Sequence, residues 1–265
     1  MTIRVAIAGP RGKMGAEAVH TVMKNDKMEL VAALDYKEVG VTLADLDIFP
    51  DTYRVPIFTD MQALVEETEP DVLIDLTSPH SVYQHTKEAL TLNVRPVIGT
   101  TGFTDKQLEE LTFLAKEKEL GCIIAPNFAI GAILMMKFAK EAAKYLPDVE
   151  IIEMHHDQKL DAPSGTGVKT AQMIQEARTS KTQGHIEEKE TMPGARGAEF
   201  DGMRIHSVRL PGLVAHQQVL FGGEGQLLTI RHDSLNRASF MSGVVFCVEE
   251  VLNMDQLVYG LENII

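Results

Sequence analysis

Two short stretches of this chain hold residues whose types and spacing could do chemistry. The first is Glu153-Met154-His155-His156-Asp157-Gln158-Lys159-Leu160-Asp161-Ala162-Pro163-Ser164-Gly165-Thr166. Two histidines and a lysine, His155, His156 and Lys159, stand directly before Ser164-Gly165-Thr166. Those last residue types open a helix and leave backbone N–H groups unpaired. Proton carriers beside a row of free N–H donors suit a small polyanion that must take up a proton during reaction. A metal site and a plainly solvated polar loop are the competing readings. Neighbouring residues on a strand point to opposite faces, so His155 and His156 are badly placed to share one ion. No histidine pair at i, i+4 accompanies them, and no metal is expected.

The second stretch is Gly9-Pro10-Arg11-Gly12-Lys13-Met14-Gly15, a G-x-x-G-x-x-G turn between an apolar strand and an amphipathic helix. Glycine allows the tight turn and lets a pyrophosphate come close to the helix start. Asp35 lies 20 residues beyond Gly15, at the end of the next apolar strand. From there a carboxylate takes the ribose hydroxyls of NAD. The bland alternative is a strand-to-helix turn that needs glycine only for sterics. Gly99-Thr100-Thr101-Gly102 and Ala125-Pro126-Asn127-Phe128 each follow a later apolar strand. In open α/β sheets ligands gather beyond the carboxyl ends of the strands, so these segments are candidates for the nicotinamide end of a dinucleotide.

The elements that must position these groups alternate in the first half. Apolar strands at 5–8, 30–34, 72–76, 96–98 and 122–125 are separated by helical patterns near 13–24, 61–67, 81–92 and 104–118. Fully apolar strands followed by helices imply a parallel sheet covered on both faces. The second half changes character. A helix over 130–145, a strand over 149–153 and a helix from Ser164 to about Ala177 lead into a long polar loop at 178–199. Strands at 205–210, 213–221 and 226–231, joined by short glycine turns, read as an antiparallel run in an open mixed sheet. A long helix over 236–252 follows. The expected fold class is α/β, a Rossmann-like dinucleotide-binding domain with an α+β substrate and oligomerisation domain.

Charge narrows the partners. With 25 Lys+Arg against 38 Asp+Glu the 265-residue chain carries a formal charge of −13. That argues against nucleic acid and anionic membranes, so an anionic ligand needs a local basic pocket. Cys122 and Cys247, both in apolar surroundings, read as reduced core thiols. No segment has transmembrane length, and the expected location is the cytoplasm.

The run His-His-x-x-Lys-x-Asp-Ala-Pro-Ser-Gly-Thr within 153–166 closely resembles the signature of the 4-hydroxy-tetrahydrodipicolinate reductase (dihydrodipicolinate reductase) family. Gly9–Gly15, Gly99–Gly102, Asn127-Phe128, Gly194-Ala195-Arg196 and His206-Ser207-Val208-Arg209 fall where that family has similar elements, so the resemblance spans essentially the whole chain. It implies an NADH- or NADPH-dependent reductase of a cyclic dicarboxylate in lysine and diaminopimelate synthesis. By the same resemblance His155 is the acid/base and Lys159 its partner, while His156, Ser164, Gly165 and Thr166 hold the substrate carboxylates. The family further implies a homotetramer built through the C-terminal sheet. Its two domains would be 1–127 with 236–265 for the dinucleotide, and 128–235 for substrate and assembly. Where some members place an arginine after the acidic residue of the second strand, this chain has Tyr36 and then Lys37. Lys37 is the expected partner of a 2′-phosphate, opposing the charge of Asp35. A nucleotide-sensing regulator would need the glycine turn but not the His/Lys pair; an amino-acid dehydrogenase of similar plan is the rival enzyme.

Overall fold

The structure, a computed structural model, describes residues 2–37 and 40–265. The chain starts with β1 (Ile3–Ala8), α1 (Lys13–Met23), β2 (Met28–Leu34), β3 (Ile57–Phe58), α2 (Met61–Thr68), β4 (Val72–Asp75), α3 (Val82–Thr91), β5 (Arg95–Ile98), α4 (Asp105–Glu117) and β6 (Cys122–Ile124). It then builds α5 (Ile130–Ala142), β7 (Asp148–His155), α6 (Gly165–Gln175), β8 (Ala198–Phe200), β9 (Met203–Arg209), β10 (Ala215–Gly223) and β11 (Gln226–Ser234). It ends with α7 (Met241–Glu250) and β12 (Leu257–Tyr259). Two compact units result. One is residues 1–128 with 240–265; the other is 129–239.

The first unit is a seven-stranded sheet in the order β12-β6-β5-β4-β1-β2-β3, with every pairing parallel. Apart from its added edge strand β12, this is the doubly wound order 3-2-1-4-5-6, whose switch point lies between β1 and β4. Val5, Ala6, Ile7 and Ala8 of β1 are all fully buried, as are Val72, Leu73 and Ile74 of β4. That is what a central strand covered by helices on both faces requires. The helices start on local signals. Asp60 accepts the Ala63 N–H at 2.8 Å ahead of α2, and Thr104 and Gln107 form a reciprocal capping box on α4. Cys122 and Cys247 are buried free thiols, and burial pushes Cys247 up to about 12.

The second unit is a five-stranded sheet, β11-β10-β7-β9-β8. It is mixed as a whole, but the strands at 203–209 and 215–223 are not hairpin neighbours as the short Pro211-Gly212 turn suggested. β7 lies between them, antiparallel to β10 and parallel to β9. The parallel pairing needs a crossover, and α6 with the polar segment after it supplies one. One face of β7 carries Val149, Ile151, Glu153 and His155, continued on β10 by Phe221, Val219, Gln217 and Ala215. α6 packs on this face, where Gln217 donates to Thr170 Oγ1 at 2.7 Å. The opposite face stays open: along β11 most residues are exposed, Leu227 at 67%. The expected helix over 236–252 is broken into a 3-10 turn at Arg237–Phe240, α7, and a second 3-10 turn at Val251–Asn253. No described helix is long and apolar enough to cross a membrane.

Candidate active site

In the second unit the alternation of β7 decides which side chains meet. Glu153 and His155 are two residues apart on one strand and share its buried face. His155 Nδ1 lies 2.6 Å from Glu153 Oε2. From β9, Arg209 grips the same carboxylate with both nitrogens, Nη1 to Oε2 at 3.0 Å and Nη2 to Oε1 at 2.8 Å. The Ser164 N–H, just ahead of α6, donates to Oε1 at 3.2 Å. Glu153 is fully buried. Burial pushes its carboxyl upward, but hydrogen bonds from His155, Arg209 and Ser207 and the charge of Arg209 outweigh that and hold it at about 2. An acceptor-only carboxylate fixes the hydrogen of His155 on Nδ1 and leaves Nε2 as the ring atom for proton exchange.

Ser164 is the N-cap of α6, its Oγ accepting the Gly167 N–H at 3.1 Å. Gly165 follows, exposed and bordering open space. The helix start thus offers donors and a positive dipole end to an anion. Lys159 Nζ pairs with Asp161 Oδ1 at 2.6 Å, a bond that lowers the Asp161 carboxyl. Asp161 therefore presents to Lys159 the same kind of group a dicarboxylate would bring. His156 is exposed and stands outside the Glu153 cluster.

In the first unit the turn after β1 has the form a dinucleotide needs. Gly9 sits at φ +82°, a left-handed conformation, and a Cβ on Gly15 would lie 1.9 Å from the Gly9 carbonyl oxygen. No side chain caps α1, whose N-cap is Gly12. A cavity of about 620 Å³ opens beside the turn, lined by Gly9, Arg11, Gly12, Asp35, Tyr36, Thr77, Ser81 and His85 among others. Close backbone, an uncapped helix start and a carboxylate at the end of β2 fit an adenosine and pyrophosphate. Pro10 and Met14 support the turn, while Lys13 is exposed.

The cation beside Asp35 is not Lys37. Arg11 reaches from the glycine turn and bonds Asp35 with two nitrogens, Nε at 2.8 Å and Nη2 on the other oxygen. Lys37 gives Asp35 only its backbone N–H, at 3.2 Å. Its ammonium lies 5.1 Å from the centre of the Tyr36 ring, and the Arg11 guanidinium 5.3 Å from that centre. The side chain of Arg11 was expected in the turn, but not as the partner of Asp35; parallel pairing of β1 and β2 brings the two ends together.

The later strand ends divide. Thr100 is buried and its Oγ1 lies 3.4 Å from Asp75 Oδ1. Thr101, Pro126 and Asn127 keep exposure, so they are open to a ligand. Ala125 and Phe128 are core residues; the Phe128 ring packs where a Cβ on Gly99 would intrude, at 2.6 Å. Asp75 and His85 belong to no sequence motif. Asp75 is fully buried, holds His85 Nδ1 at 2.7 Å and accepts from the Thr77 N–H and hydroxyl at 2.9 and 2.6 Å. A lone acidic residue closing an apolar strand was the available signal.

Comparison with known proteins agrees along the whole chain. Residues 3–128 match the family described as dihydrodipicolinate reductase, N-terminus, and residues 131–265 the one described as dihydrodipicolinate reductase, C-terminus. A 4-hydroxy-tetrahydrodipicolinate reductase of Lysinibacillus sphaericus is 86% identical over 265 residues, with both chains fully covered. One of Bacillus pumilus is 64% identical, covering 100% of this chain and 98% of that one. A dihydrodipicolinate reductase of Paenisporosarcina sp. TG-14, solved with dipicolinate bound, is 66% identical and superposes with a TM-score of 0.92, each chain covered completely. The chain belongs to the dihydrodipicolinate reductase family.

Proposed function

We propose that this protein uses NADH or NADPH to reduce 4-hydroxy-tetrahydrodipicolinate to tetrahydrodipicolinate with loss of water, a step of diaminopimelate and lysine synthesis in the cytoplasm. The observation that carries the reading is the oriented imidazole of His155 beside the start of α6. It stands in a chain whose family match is complete and whose relative was solved with dipicolinate bound.

The reduced nicotinamide supplies a hydride. In the first unit, the Gly9–Gly15 turn receives the pyrophosphate, Asp35 and Arg11 the adenosine ribose, and Thr101 and Asn127 the nicotinamide end. Lys37 stands by for a 2′-phosphate. In the second unit, His156, Ser164, Gly165 and Thr166 receive the substrate carboxylates, with Lys159 adding its charge beside them. Loss of the 4-hydroxyl together with a proton from the adjacent ring carbon, as water, leaves a conjugated C=C–C=N system; once its terminal carbon has accepted the hydride, an electron pair moves toward nitrogen. His155 Nε2 gives a proton, so one hydride and one proton are added and the ring regains neutrality at the reacting atoms. A positioned acid of this kind contributes about 10²–10⁴-fold. Lys159 stabilises the bound dianion and the charge that develops.

The chain assembles as a homo-oligomer, a tetramer, through the open face of the second sheet. Residues 1–127 with 236–265 serve the dinucleotide, and 128–235 serve substrate and assembly. The deciding experiment follows loss of reduced nicotinamide absorbance with the condensation product of pyruvate and aspartate semialdehyde. Turnover with that substrate is expected. Binding of nucleotide without turnover would instead identify a sensor.

A further inference from the structure

Donors from β7, from β9 and from the start of α6 converge on the carboxylate of Glu153. Oε2 receives His155 Nδ1 and Arg209 Nη1; Oε1 receives Arg209 Nη2 and the Ser164 N–H. We propose that Glu153, clamped by Arg209, is the positioning residue of the proton-transfer step, one buried carboxylate that fixes both the donor imidazole and the start of α6. This rests on reading His155 as the acid.

Three physical arguments lead there. The bond at Nδ1 leaves Nε2 as the exchanging atom and holds the ring plane. A bidentate guanidinium removes the freedom of the carboxylate to rotate and balances its charge, so the imidazole is held by a rigid, charge-compensated acceptor. Arg209 Nη2 also donates to the Asp161 carbonyl at 2.7 Å, tying the loop that carries Lys159 to the same ion pair. A buried ion pair is a poor device for stability, since apolar replacements of equal volume often match or exceed it. What the pair secures is the spacing between a proton donor and an anion-binding helix start. The charged groups near His155 are Glu153 on its own strand, Arg209 on β9, and Asp157, Lys159 and Asp161 in the following loop, beside the titratable His156. β10 sets uncharged Ala215 opposite it, and α6 turns Ser164 toward the same carboxylate.

The test compares the intact enzyme with Glu153→Gln and with the double variant Glu153→Gln/Arg209→Met, which removes both charges together. Steady-state rates across pH, melting temperature and ¹⁵N spectra of the His155 ring, identified by its loss in His155→Gln, are measured for each. In Glu153→Gln, kcat is expected to fall about 10–100-fold, with KM for reduced nicotinamide changed less than about threefold. The limb of the kcat profile that reports the acid should move down by about one pH unit, as the Arg209 guanidinium is left uncompensated beside the imidazolium. The neutral ring should pass from a single Nδ1–H tautomer to a mixture. The double variant should regain melting temperature but not kcat. Recovery of kcat in the double variant, or a pH profile and tautomer identical to the intact enzyme in Glu153→Gln, would overturn the assignment. Normal turnover by His155→Gln would instead remove the acid itself, whereas the ¹⁵N tautomer, read without substrate, still reports whether Glu153 fixes the ring.

Discussion

Arg11 should decide which nicotinamide cofactor this enzyme prefers. Asp35 is almost enclosed, with 4% of its side chain exposed, and Arg11 is 29% exposed. In NADH the ribose offers hydroxyls that a carboxylate accepts; in NADPH it carries a phosphate that Asp35 repels. Arg11 lies against Asp35 and beside the Tyr36 ring, so it offsets that repulsion and can meet the phosphate with its outward edge. Replacing it by alanine removes one attraction and uncovers one repulsion. Charges about 5 Å apart at a partly wet surface interact by about 1–2 kcal/mol, and screening trims the pair of effects to about 2 kcal/mol. Arg11→Ala is therefore expected to raise the NADPH Kd about thirtyfold and the NADH Kd less than about threefold. Lys37→Ala should weaken NADPH selectively but only about threefold, because its ammonium is a flexible point charge. The intact enzyme should use both cofactors within about tenfold. Titration calorimetry with each cofactor reads all four numbers. Equal weakening of both cofactors by Arg11→Ala, or a larger NADPH loss in Lys37→Ala, would refute the reasoning.

Three further outcomes follow from the same geometry. His155→Gln should lower kcat about 10²–10³-fold while leaving cofactor affinity nearly unchanged, which steady-state kinetics and cofactor titration check together. Lys159→Ala should raise KM for the dicarboxylate and slow the chemistry, and pyridine-2,6-dicarboxylate should inhibit the intact enzyme competitively; calorimetry showing no uptake of that compound beside bound cofactor would contradict the anion site. Glu153 bears on acid stability. Its carboxyl is held at about 2 instead of the usual 4.5, so its stabilisation is complete above about pH 4.5 and is lost as pH falls toward 2. That interval corresponds to about 3 kcal/mol, and Glu153→Gln should flatten the fall of the urea midpoint across it.

The sheet of the first unit was legible because its central strands are continuous apolar runs separated by helical patterns. β3, β8 and β12 were not, since two or three residues carry no periodicity. Glu153 could have been placed beside His155 from strand alternation alone, two residues apart on one face. Arg209 could not: 56 residues separate it from Glu153, and only the parallel pairing of β7 with β9 joins them. The same holds for Arg11 and Asp35, 24 residues apart and united by the pairing of β1 with β2. Reading along the chain favoured Lys37 because it was near in sequence; the pairing of β1 with β2 favoured Arg11. Family resemblance supplied roles for His155 and Lys159, but the ion pair that orients the imidazole comes from the sheet register.

The return of the chain to its first sheet has a consequence for synthesis. β12 pairs with β6, and its Gly260 N–H closes on the Ile124 carbonyl at 2.8 Å, yet roughly 110 residues of the other unit are made in between. β12 begins about 130 residues after β6 ends, so at about 5–20 residues per second roughly 7–27 s pass during which β6 is an unpaired parallel edge on the nascent chain. An open edge of that kind invites pairing with other chains. The inserted unit can close while the first one waits, so the nucleotide fold is finished last although it is begun first. Shortening the C-terminus before Leu257 would make that waiting state permanent.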